Sequence, residues 1–106
     1  FSAGGKEYPS EDGAYLYSPA GLGLEFKNTS DRQMKVLLYK QVYIPCEGLN
    51  PYVYYGNVND FEYRIYDGME DVFIKDLLPV DINFDMNMHI LSFAPGGCHP
   101  FVETHV

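Results

Sequence analysis

Glu103 and His105 stand two residues apart, and two residues is the repeat of a β-strand. On a strand both side chains point to one face, where a carboxylate and an imidazole could hold a divalent ion such as Mn²⁺, Fe²⁺ or Zn²⁺. Standing alone, a Glu-x-His pair is better explained as polar residues on a solvated strand face. A catalytic metal also takes about three or four protein ligands, so further donors would be needed. Cys98 and His99 are metal-capable neighbours, but no second Cys or His follows at a zinc-finger spacing. His89 shares its strand face with Asn87 and Leu91; a hydrogen-bonded structural role is favoured, with support of a metal site as the alternative.

Near the other end, Gly13, Pro19, Gly21, Leu24 and Asn28 frame a strand, a turn and a second strand. Proline fixes φ and glycine supplies positive φ, so Pro19 to Gly21 reverses the chain and the next strand can aim Leu24 inward. Leucine cannot bind a metal. An ordinary hairpin turn would use the same residues.

The elements that must carry these residues are strands. Alternation with period two marks Tyr15 to Tyr17, Leu24 to Lys27, Met34 to Tyr43, Phe61 to Tyr66 and Met88 to Phe93. Turn clusters separate them, among them Pro9 to Gly13, Ser18 to Gly21, Asn28 to Asp31 and Ala94 to Gly97. The pattern predicts an all-β sandwich or barrel. From Pro45 to about Asp85 it loosens, and Tyr52, Tyr54, Tyr55, Phe61, Tyr63 and Tyr66 crowd among Asn, Asp and Gly. These rings suit a connector packed over a neighbouring barrel, or a binding surface. Val72 to Leu78 is a short strand or one helical turn, ended by Pro79.

Composition removes several function classes. The 106 residues allow one small domain. A 46% hydrophobic fraction with 10 Tyr and 7 Phe is too apolar for a disordered chain. The net charge of −8 comes with scattered basic residues, so no nucleic-acid partner is expected. No apolar run approaches the roughly 18 residues of a membrane span, and no membrane partner is expected. Two cysteines, Cys46 and Cys98, do not make a disulfide framework and fit free thiols in a reducing, cytoplasmic setting. The chain opens at Phe1 and ends at Val106 straight after an alternating stretch, so we expect further chain on both sides.

The Gly13, Pro19, Gly21, Leu24, Asn28 spacing resembles the second motif of the cupin superfamily, glycine-x5-proline-x-glycine-x2-histidine-x3-asparagine, with Leu24 in place of the histidine. Gly97-x5-Glu103-x-His105 resembles the start of the first cupin motif, with Glu103 in place of its first histidine. Second motif followed by first motif is the order at the seam of a two-barrel protein. With Leu37 to Lys40, Ile44 to Gly48, Asp76 to Pro79 and Asn83 to Gly96 added, nearly the whole chain is similar to the (S)-ureidoglycine aminohydrolases, bicupins of purine and allantoin degradation.

That resemblance implies an all-β cupin fold, a double-stranded β-helix or jelly-roll-like barrel, with this chain as a fragment across the bicupin seam. Residues 1–45 would close a metal-free first barrel, 46–84 would connect, and 85–106 would open the metal-binding second barrel. It implies Mn²⁺ held by a glutamate, two histidines and a glutamine, of which Glu103 and His105 match here, with Glu103 also catalytic. It further implies a small-molecule ureido substrate, ammonia release from (S)-ureidoglycine to give (S)-ureidoglycolate, and a homo-oligomer. The alternatives are a non-catalytic metabolite-binding or structural bicupin and a cupin dioxygenase.

Overall fold

The structure, a computed structural model, describes residues 1–44 and 46–102. The chain is all-β, as the alternation predicted. Its strands are β1 (Ser2–Ala3), β2 (Lys6–Glu7), β3 (Ala14–Tyr17), β4 (Leu24–Glu25), β5 (Tyr54–Asn57), β6 (Arg64–Tyr66), β7 (Met69–Asp76) and β8 (His89–Phe93), with one 3₁₀ turn at Val58–Asp60. They form three antiparallel sheets in the orders β2-β1-β4, β3-β5 and β6-β7-β8.

The longest strand, β7, lies in the loosely patterned middle, where the sequence left strand and helical turn open. Val72 and Ile74, at 0% and 2% exposure, share its buried face, two residues apart as the pleat requires. The hairpin into β7 turns at Asp67 and Gly68, whose φ values of 47° and 76° are the paired positive angles of a type I′ turn. β7 then pairs with β8 from Val72 opposite Phe93 to Asp76 opposite His89. Arg64 makes an ion pair with Asp76 on the same sheet, and Lys75 holds its ammonium 4.5 Å over the Tyr63 ring while donating to the Val58 carbonyl at 3.0 Å.

Three strand expectations need correction, the first being Leu24 to Lys27, which is a strand only over Leu24–Glu25. Met34 to Tyr43 is not a strand: although its residue types alternate, no other described strand pairs with it, and a strand exists only through its ladder of hydrogen bonds. Leu37 and Val42 are accordingly 99% and 92% exposed. The Phe61 to Tyr66 strand shrinks to Arg64–Tyr66, because the 3₁₀ turn ends at Asp60 and its C-terminal flank is Phe61.

The small core reflects these unpaired segments. The buried apolar residues are Ala3, Tyr17, Val72, Ile74, Leu77, Leu78 and Phe84 among the described residues. A Cα radius of gyration of 16.2 Å exceeds the about 13 Å of a compact domain near this length, so much of the chain lies spread over the surface.

Gly13 enters β3 at φ 83°, and a Cβ there would sit 2.8 Å from Asn57 Oδ1 and Val58 Cγ2. Gly21 has φ 85° and open space around it. Gly21→Ala should therefore cost about 1–2 kcal/mol of backbone strain, and Gly13→Ala roughly 1–3 kcal/mol more from the clash. Denaturant unfolding of the two variants measures the difference; equal losses would contradict the close approach of Gly13 to the 57–59 turn.

Candidate functional site

The first motif is a strand, a turn and a strand. After β3, the Leu22 amide donates to the Pro19 carbonyl at 3.4 Å, Gly21 takes its positive φ, and β4 starts at Leu24. Leu24 is half-buried and lies opposite Ala3, which is 2% exposed. Asn28 closes the following turn: its Oδ1 accepts from the Ser30 amide at 3.0 Å and from the Ser30 hydroxyl at 2.8 Å. A side chain of this kind is a turn device rather than a ligand.

The second motif is reached from β8. The Ala94 amide donates to the Asp71 carbonyl at 2.9 Å, and the Gly97 amide returns to the Ala94 carbonyl at 2.8 Å. A Cβ on Gly97 would lie 2.7 Å from the Asp71 carbonyl oxygen, so glycine is needed where the turn presses against β7. His99 then stacks on Tyr66, with ring centroids 5.6 Å apart and planes 21° from parallel, and Phe101 meets His99 edge-on at 5.9 Å. Cys98 and Cys46 are free, exposed thiols. Glu103 and His105 lie outside the described residues. His89 is exposed at the first position of β8, opposite Asp76. Among the described residues no three His, Cys, Asp or Glu side chains come close enough together to hold a metal ion.

Hydrogen bonds absent from the sequence expectations tie Tyr17, Gln41 and Tyr52 to the 81–85 connection. Tyr17 donates to Asp85 Oδ1 at 2.9 Å, and Gln41 Nε2 donates to Asp85 Oδ2 at 2.9 Å. Tyr52 donates to Asp81 Oδ2 at 3.1 Å, while Asp81 Oδ1 accepts from the Asn83 amide at 2.9 Å. That amide, with smaller help from Tyr52, holds the Asp81 carboxyl below the usual carboxylate range. The one available signal was Asp81-x-Asn83 just after Pro79, the residue types of an Asx turn.

Tyr15 donates to the Leu77 carbonyl at 2.5 Å. Burial, with smaller contributions from Tyr54 and Asp60, pushes its phenol from 10.0 up to about 12. Burial, then Asp85, pushes Tyr17 up to about 12 as well.

An all-antiparallel chain with these two turn motifs, the first lacking any metal-binding side chain, is a cupin-like β chain. No protein-family model matches it. The chain is 46% identical over 104 residues, 98% of its length, to (S)-ureidoglycine aminohydrolase of Escherichia coli (strain K12). It is 27% identical over 93 residues, 87% of its length, to the probable (S)-ureidoglycine aminohydrolase of Oryza sativa subsp. japonica. It spans 40% and 29% of the lengths of these two curated relatives. Over nearly its whole length the chain is similar to part of these (S)-ureidoglycine aminohydrolases. No helix among the described residues is long and apolar enough to cross a membrane.

The raised phenols predict an alkaline limit. Below pH 10 both tyrosines are protonated whether the chain is folded or unfolded. Between pH 10 and about 12 the unfolded chain releases protons that the folded chain retains, so stability falls as pH rises. The denaturant midpoint should be insensitive to these groups up to pH 10 and decline above it, less steeply in Tyr17→Phe. Equal slopes for wild type and Tyr17→Phe between pH 10 and 12 would contradict the assignment.

Proposed function

We propose that the protein releases ammonia from (S)-ureidoglycine and adds water, giving (S)-ureidoglycolate, with Mn²⁺ bound by Glu103 and His105 together with ligands supplied from outside this chain segment. The observation that carries this is the 46% identity to the Escherichia coli (S)-ureidoglycine aminohydrolase across 98% of the chain.

In the overall change one C–N bond breaks, one C–O bond forms at the same carbon, and the amine leaves as ammonia. The bound ion would supply positive charge and a template for the amino, ureido and carboxylate groups of the substrate. That charge matters because a chain of net charge −8 does not itself attract an anionic substrate. Glu103 has two tasks: to hold the ion, and to pass a proton to the departing amine. His105 has one, to hold the ion. Leu24 leaves the first motif without a donor, so the chemistry falls to the second motif. Two free, exposed thiols suit the cytoplasm, and a homo-oligomer acting on a small ureido substrate, with His89 supporting the site from behind, completes the proposal.

The test uses the natural full-length protein and freshly generated (S)-ureidoglycine, with ammonia release and bound manganese measured in parallel. His105→Ala should lose metal and regain activity in excess Mn²⁺. Glu103→Gln keeps the side-chain size but removes both the anionic ligand and the proton carrier, so its activity should stay about 10²-fold or more below wild type even with metal restored. Wild-type activity in Glu103→Gln, or a manganese-loaded wild type that releases no ammonia, would overturn the proposal.

A further inference from the structure

The sequence holds two Asp-Gly pairs, Asp12-Gly13 and Asp67-Gly68. In such a pair glycine has no side chain to shield its backbone nitrogen, which can close on the aspartate carboxyl to form a succinimide ring. Closure requires the peptide plane between the two residues to turn about the aspartate ψ. The two pairs differ in what opposes that turn. Four hydrogen bonds hold the Asp12-Gly13 turn. The Asp12 carbonyl accepts from Asn57 Nδ2 at 3.1 Å and Asn59 Nδ2 at 3.3 Å. The Ala14 amide donates to the Glu11 carbonyl at 3.0 Å, and the Val58 amide donates to the Gly13 carbonyl at 2.9 Å. Turning the Asp12-Gly13 plane would break both asparagine bonds. Asp67-Gly68, by contrast, is the tip of the β6–β7 hairpin; both residues are exposed, and a Cβ on Gly68 would meet nothing within 4 Å. Beneath the tip only Tyr66 and Met69 pair before the register breaks, and the ladder resumes with Ile65 opposite Phe73. A turn closed by one residue pair above such an irregularity opens locally at lower cost than one tied into a sheet.

We propose that Asp67-Gly68 is a site of spontaneous covalent modification, converting to isoaspartate, while the clamp from Asn57 and Asn59 spares Asp12-Gly13. The Gly68 nitrogen attacks Cγ of the protonated Asp67 carboxyl: an N–Cγ bond forms, a C–O bond breaks, and the amide proton leaves with the hydroxyl as water. Water then adds to the former backbone carbonyl carbon of Asp67 and breaks its bond to the Gly68 nitrogen. The main chain now runs through Cγ and the α-carboxylate is free. One water is lost and one regained, so no oxidant, reductant or other co-reactant enters. The product has one more main-chain atom in a two-residue turn whose paired positive φ angles match the twist of β6 and β7, so the modified tip no longer closes with Tyr66 opposite Met69.

Peptide mapping of the natural full-length protein, aged for weeks at neutral pH and fragmented by electron transfer to tell α-linked from β-linked aspartate, reads both pairs side by side. In the folded protein isoaspartate should accumulate at Asp67 about tenfold or more faster than at Asp12. In denaturant the two pairs should convert within about threefold of each other, since neither is then restrained. Asn59→Ala removes one arm of the clamp but keeps the backbone amide that bonds Asn57, so it should raise conversion at Asp12 about threefold or more and leave Asp67 unchanged. If Asn59→Ala does not fold, the wild-type comparison decides alone. Equal or faster conversion at Asp12 in the folded protein would overturn the proposal, because the asparagine amides would then activate the Gly13 nitrogen rather than restrain it. Unchanged conversion at Asp12 in folded Asn59→Ala would overturn the clamp, and a folded protein that converts neither pair while the denatured chain converts both would overturn the site at Asp67.

Discussion

Phe84, in the connection between β7 and β8, is the ring on which the β3-β5 sheet packs. Tyr17 of β3 meets it edge-on at 5.0 Å, Tyr54 of β5 at 6.0 Å, and Tyr52, just before β5, at 4.9 Å. Each such contact contributes about 0.5–1.5 kcal/mol beyond the area it buries. Leu78 fills the same cluster, with Met86 and Met88 packed against it. Asp85, the next residue, takes the Tyr17 hydroxyl and the Gln41 amide on its two oxygens. One ring and one carboxylate, adjacent in sequence, thus join the β3-β5 sheet to the connection between β7 and β8.

The consequences run toward the second motif. The Leu77 amide donates to the Met88 carbonyl at 2.8 Å, closing the base of the 77–88 connection, and Tyr15 holds the Leu77 carbonyl from the other sheet. β8 is thereby fixed opposite β7 over five residue pairs. The turn after β8 inherits its position from β7 through Asp71, and His99 inherits its own from β6 through Tyr66. Named contacts thus run from the aromatic core as far as Phe101.

The sequence showed its structure unevenly, for physical reasons. β3 and β8 were legible because alternation in them coincides with a partner strand. Met34 to Tyr43 alternates just as well but has no partner among the described strands, and alternation reports a residue's preference for a ladder, not the ladder. β7 was half-hidden behind the tyrosine-rich stretch, although Asp67-Gly68 between apolar residues is a strong two-residue hairpin signal. Asp85 carries no spacing signal, and Asp81 only that of a local turn with Asn83, while the partners Tyr52, Tyr17 and Gln41 lie 29, 68 and 44 residues away. The first motif was legible as a turn from Pro19 and Gly21 alone. The proposed site residues Glu103 and His105 were legible only through their two-residue spacing and the family resemblance, and they lie outside the described residues.

The chemistry proposed for this protein concentrates on one carboxylate. A metal-bound glutamate is a weak base, so giving Glu103 both a ligand's and a proton carrier's task requires that it sit on the ion and beside the departing amine at once. Anomalous diffraction at the manganese edge, from crystals of the natural full-length protein grown with Mn²⁺, tests that placement most directly. One peak about 2.0–2.3 Å from a Glu103 carboxylate oxygen and a His105 ring nitrogen is the expected result. A peak on Cys98 and His99, or an ion bound without Glu103, would contradict it.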